Sequence, residues 1–117
     1  MNEIRLKKIE SLFQQEINNI LYNDLKKKIG IFSIIEVALT NDLSLAKVYI
    51  SFINLEKEDE EKQISYLNES SGEIRYILKK RLRLKKIPEL VFALDHRIRD
   101  GMRIISIMDR WKKDDRR

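Results

Sequence analysis

Cysteine is absent from this chain, and proline, histidine and glycine are scarce: Pro88, His96 and the three glycines Gly30, Gly72 and Gly101. Without cysteine there is no disulfide, no thiolate metal site and no thiol nucleophile, a composition suited to a reducing compartment. The glycines are too scattered to form a phosphate-binding loop. His96 has no visible acid–base partner, and nothing near Ser70 or Ser71 marks an activating base. The acidic run Glu58-Asp59-Glu60-Glu61 lacks the ligand spacing of a cation loop and reads as the start of a helix. No catalytic residue, metal site, cofactor or small-molecule substrate is therefore expected. No apolar run approaches a membrane span, and the charged start MNEIRLKKIE has no apolar core of a secretory signal. A soluble, cytoplasmic, monomeric protein with no membrane partner is expected.

What the chain does have is charge. Charged residues make up 37% of 117, with a net charge of +5 and a pI near 9.5. That balance favours an anionic partner, nucleic acid ahead of a membrane surface. The length suits one domain able to bury a core without a covalent staple.

Periodicity supplies the elements. Leu6, Ile9, Phe13, Ile17, Ile20 and Leu21 recur at three- and four-residue steps, predicting a helix over 3–27. Gly30 is its expected stop, with Lys26, Lys27 and Lys28 in a last turn that suits the helix dipole. From Phe32 the period becomes two, with Ile35, Val37 and Leu39 on one face and Ile34, Glu36 and Ala38 on the other. After the turn-forming Thr40-Asn41-Asp42, Ala46, Val48, Ile50 and Phe52 alternate likewise, so a hairpin is expected. A helix follows over 56–69, with Ile64 and Leu67 facing the sheet. Pro88 ends the next helix, and Leu90, Phe92 and Leu94 alternate as a third strand. Met102, Ile104, Ile105 and Met108 suggest a short terminal helix within 98–111. The reading is one α+β domain over 1–111 with a charged tail over 112–117.

Charge concentrates around the small-residue break Ser70-Ser71-Gly72. Behind it, residues 73–86 carry seven Lys or Arg against one Glu, a net +6. Residues 56–69 before it carry two Lys against six acids, a net −4. Gly72 tolerates a break, and Ser70 or Ser71 can cap the following helix. Arg75, Lys79, Arg83 and Lys86 fall on one helical face, with Lys80 and Lys85 beside it, while Arg81 lies awkwardly within the apolar arc. A helix start and a basic face together form a candidate phosphate-backbone site. Reversing Arg75, Lys79 and Arg83 together is expected to weaken binding with the fold intact.

The α-β-β-α-kink-α-β order resembles the KH fold in its type II arrangement, which in standard form clamps nucleic acid with a GXXG loop. With a single glycine in the break, the chain resembles the ribosome-binding factor A family. Asn41 to Ser51 (NDLSLAKVYIS), Ser71 to Arg75 (SGEIR), Ile87 to Phe92 (IPELVF) leading to Asp95, and Gly101 to Ile104 (GMRI) carry the likeness. The resemblance implies a non-enzymatic, cold-adaptive assembly factor of the bacterial cytoplasm. Such a factor binds the free small (30S) ribosomal subunit and its 16S rRNA, and assists late maturation and 5′-end processing. It also implies RNA-contacting residues Ser70, Ser71, Gly72, Arg75, Lys79, Lys80, Arg83, Lys85 and Lys86. The chain departs from the family where an Asp-Pro-Arg turn is usual; here Lys26-Lys27-Lys28-Ile29-Gly30 stands. The alternative reading is a KH-shaped module whose basic face meets an acidic protein.

Overall fold

A computed structural model describes residues 3–95. They form α1 (Glu3–Asn23), β1 (Phe32–Leu39), β2 (Leu45–Phe52), α2 (Lys57–Glu69), α3 (Ser71–Leu82) and β3 (Glu89–Leu94), the element order expected from the periodicities. The predicted terminal helix within 98–111, the tail over 112–117 and His96 lie outside the described residues.

Phe13, Ile17, Ile20 and Leu21 form the buried stripe of α1, which packs on β1 and α3. The helix stops at Asn23, one turn short of the expected Lys27. The backbone beyond it is claimed by α2 instead. The Lys27 N–H donates to the Tyr66 hydroxyl at 3.1 Å, and the Gly30 N–H donates to Gln63 Oε1 at 2.7 Å. Lys26, Lys27 and Lys28 therefore sit in a connection, not in a final helical turn. Gly30 is not the helix stop; a methyl group there would lie 3.1 Å from Leu55 Cδ1, so it serves a close approach.

The sheet order is β1-β2-β3, with β1 antiparallel and β3 parallel to the central β2. A parallel pair needs a crossover, and α2 with α3 supplies it. One feature of β1 departs from simple alternation. Ile34 pairs with Ile50 but Glu36 pairs with Tyr49, leaving Ile35 as the extra residue of a bulge. The bulge reverses the facing, so Phe32 and Ile34 join Val37 and Leu39 in the core, while the expected inward Ile35 is only half-buried. The β1–β2 turn is held by Asp42, whose Oδ1 accepts from the Thr40 and Ser44 hydroxyls (2.8 Å each) and the Ser44 N–H (3.1 Å). Leu43 takes a left-handed φ of 60° within it.

Glu60, Ile64 and Leu67 follow helical spacing, and α2 packs along β3. Glu60 is buried to 1% exposure, so the acidic run is not wholly a solvated helix start. Ile74 and Leu78 bury the inner face of α3 against α1 and β3. Helical side chains also occupy both sheet edges. Gln14 Nε2 donates to the Ile34 carbonyl and the Leu39 N–H donates to Glu10 Oε2, each at 2.9 Å. On β3, Asn68 donates to the Phe92 carbonyl (3.0 Å) and accepts its N–H (2.8 Å). Such contacts satisfy edge groups that would otherwise invite another strand.

Candidate nucleic-acid interface

The break between α2 and α3 is a single residue. Ser70, at φ −91° and ψ 2°, ends α2 and starts α3. Its N–H is shared between the Tyr66 and Leu67 carbonyls at 2.9 and 3.1 Å, and its carbonyl accepts the Ile74 N–H at 3.0 Å. The bend thus comes from one residue in the bridge region of backbone space. Two sequence expectations are corrected here. The Ser70 hydroxyl makes no capping bond; Ser71 is already the first residue of α3. Gly72 does not make the break either: among the described residues no glycine has positive φ, and Gly72 lies exposed inside the first turn. A Cβ at Gly72 would meet nothing within 4 Å.

Electrostatics at the kink give a phosphate little. The negative end of the α2 dipole meets the positive end of the α3 dipole, and the two half-charges oppose each other. Glu69 and Glu73 flank the junction and add repulsion. The kink sets the orientation of α3 relative to α2.

Arg75 fixes that orientation. Its Nε donates to the Pro88 carbonyl at 2.9 Å and its Nη2 donates to the Ile87 carbonyl at 2.8 Å. Asn68 grips Phe92 on the other side of the kink, so both helices are tied to β3 and its lead-in. The expected outer face shared by Arg75, Lys79 and Arg83 is therefore corrected: Arg75 is half-buried and turned to the strand. Sequence spacing places a side chain on a face, but the nearby carbonyls ahead of β3 decided where this guanidinium points.

The exposed cations lie at the other end of α3. Lys79, Lys80, Arg83, Lys85 and Lys86 are exposed, and among the described residues none makes an ion pair. Lys80 Nζ stands 5.0 Å from the centroid of the Tyr76 ring, itself 61% exposed. Arg83 closes the helix in a left-handed conformation (φ 55°, ψ 39°), its N–H donating to the Lys79 carbonyl at 2.8 Å. The helix ends there, so Lys86 does not continue the helical face predicted for it with Lys79 and Arg83. The awkward Arg81 proves to be a structural residue: its Nη2 lies 2.6 Å from Asp24 Oδ2 and its Nη1 3.8 Å from Glu16 Oε1. It holds α3 against α1, and its position in the apolar arc was the only sequence signal for this.

Lys27 of the connection is drawn toward α2. Lys27 Nζ stands 5.6 Å from the Tyr66 ring and lines a hollow with Glu58, Glu61 and Glu69. Among the described residues no three carboxylate or imidazole groups are gathered to hold a metal ion, and no helix is long and apolar enough to cross a membrane.

The sequence profile of the ribosome-binding factor A family matches residues 5–108. The chain belongs to the ribosome-binding factor A family. A ribosome-binding factor A from Staphylococcus carnosus is 38% identical over 116 residues, spanning 97% of this chain and 100% of the relative. The crystal structure of ribosome-binding factor A from Thermus thermophilus superposes with a TM-score of 0.66, covering 76% of this chain and 93% of the other at 18% identity. A homology model of the Thermus thermophilus factor, fitted into a cryo-EM map of a 30S complex, gives a TM-score of 0.63 over 75% of this chain and 92% of the other, at 17% identity. These two structures establish the shared fold. Membership of this family accords with the α+β order read from the sequence.

Proposed function

We propose that this protein is a non-enzymatic assembly factor that binds the free small (30S) ribosomal subunit through its 16S rRNA and assists late maturation and 5′-end processing. Residues 1–111 act as the binding unit. The observation that carries the reading is the cationic end of α3, where Lys79, Lys80, Arg83, Lys85 and Lys86 project without ion-pair partners among the described residues. Unpaired surface cations gathered at and just beyond the end of a helix are what a phosphate backbone recruits. Family membership supports the ribosome as the source of that backbone, and a Thermus thermophilus member has been fitted into a 30S complex.

The mechanism follows from the clasps. Asn68 and Arg75 lock the kink angle, Arg81 locks α3 to α1, and the cationic tip is thereby aimed in one direction. A folded wedge of this kind holds one rRNA conformation by backbone contacts and leaves when the mature conformation competes for them. Co-sedimentation tests it directly. The protein is expected to travel with free small subunits and not with whole ribosomes; equal partition, or no association at low salt, would overturn the reading.

A further inference from the structure

We propose a second RNA contact, distinct from the α3 tip: a groove between α1 and the β1 edge that takes an unpaired nucleobase, with the Tyr22 ring as its stacking surface. The inference rests on reading the chain as an RNA-binding protein, but on different residues. The groove measures about 470 Å³, within the roughly 300–1,000 Å³ usual for small-ligand sites, and runs between Gln14, Gln15 and Asn18 on α1 and Ser33 on β1. It reaches Tyr22 and Phe32, which also border a second hollow of about 230 Å³ lined by Lys28 and Ile31. The two hollows share Tyr22 and Phe32 as lining residues.

Three observations select a base. First, charge: no carboxylate lines either hollow, whereas the hollows along α2 are lined by Glu58 and Glu61 and repel phosphate. Lys28 supplies a cation beside Tyr22 for the attached backbone. Second, hydrogen bonding: among the described residues the Gln15 and Asn18 amides make no hydrogen bond. Each offers both a donor and an acceptor, the pairing that base edges require. Third, aromatic surface: Tyr22 is 63% exposed although its ring leans on Phe32 with centroids 4.9 Å apart. One side is thus braced by the core while most of the residue is open to solvent. A β-strand from another protein fits the same edge poorly, because Gln14 and Glu10 already occupy the Ile34 carbonyl and the Leu39 N–H.

The test uses the full chain and fluorescently labelled ten-nucleotide homopolymers of U, A and C, read by anisotropy. Tyr22→Ala should weaken binding about five- to tenfold, near the lower end of what aromatic stacking on a base contributes. Because Tyr22 touches Phe32, a second variant guards against misfolding. Gln15→Glu is isosteric and exposed, leaves the fold unchanged, and should also weaken binding at least fivefold by placing a carboxylate in the groove. Gln15→Ala with Asn18→Ala should flatten the difference among U, A and C while the salt dependence stays the same. Unchanged affinity in a folded Gln15→Glu protein would overturn the inference. So would competition for the groove by an extended peptide but not by any oligonucleotide. Lys79→Glu with Lys80→Glu is run alongside: small-subunit binding lost there, with oligonucleotide binding indifferent to Gln15 and Tyr22, removes the groove and leaves the α3 reading standing.

Discussion

Gly72 shows how one residue separates two accounts of the kink. Its φ is not positive and its Cβ position is open, so nothing in the free protein requires glycine there. Gly72→Ala should stabilise the protein by about 0.5–1 kcal/mol through the unfolded chain's lost freedom, measurable by urea unfolding. If the kink only aims α3, small-subunit binding stays unchanged; a tenfold loss would show that RNA backbone approaches Gly72 itself. Arg75 is the opposite case. Arg75→Ala leaves the Ile87 and Pro88 carbonyls without their donor and should cost about 2 kcal/mol in the same measurement. Arg75→Lys should recover little, since a point charge cannot span two carbonyls as the guanidinium fork does. Asp42 adds a pH dependence. The Ser44 hydroxyl, then the Thr40 hydroxyl and the Ser44 N–H, hold its carboxyl below the usual aspartate range. A depressed folded value means the turn's stabilisation is complete above the unfolded pKa and is lost as pH falls through the folded one. An NMR titration should give Asp42 a lower midpoint than the same residue in an unstructured peptide.

At the scale of elements, α3 carries anchoring and free side chains together. Ile74, Arg75 and Leu78 belong to the fold, and Arg81 and Leu82 tie the last turn to it, while Lys79, Lys80 and Arg83 face solvent. A binding test by charge reversal therefore has to leave Arg75 alone, because the earlier choice of Arg75, Lys79 and Arg83 would disturb the strand lead-in together with the surface. Lys79→Glu, Lys80→Glu and Arg83→Glu combined should cut small-subunit binding at least tenfold, with the circular dichroism spectrum unchanged. Much of this was legible beforehand. Apolar spacing located both faces of α1 and α3 and the existence of β3, because burial of a stripe depends only on local period. The β1 bulge was not legible, since Ile34 and Ile35 are equally apolar and only pairing with β2 chooses between them. The end of α1 was missed for a similar reason: Tyr66 and Gln63, some forty and thirty residues away, compete for the next turn's N–H groups.

For the whole molecule, charge is polarised between an acidic α2 and a cationic α3 tip joined at Ser70. If the five exposed cations at that tip each neutralise one phosphate, log K for single-stranded RNA should fall with log salt at a slope of roughly −3.5. A slope near zero, measured by anisotropy over a salt series, would show that the tip does not meet the backbone. The sequence alone determined the α+β order, the basic segment behind a helix break, and the family, because hydrophobic period, charge and ordered motifs are properties of the chain read along its length. The tertiary structure decided which cations are free. Arg75 reads like Lys79 and Arg83 as sequence, and Arg81 differs only by its place in the apolar arc, yet the Ile87 and Pro88 carbonyls hold Arg75 and the carboxylates of Glu16 and Asp24 hold Arg81. Those partners come from residues 12 to 65 positions away, and proximity of that kind exists only once the sheet has brought α1, α3 and β3 together.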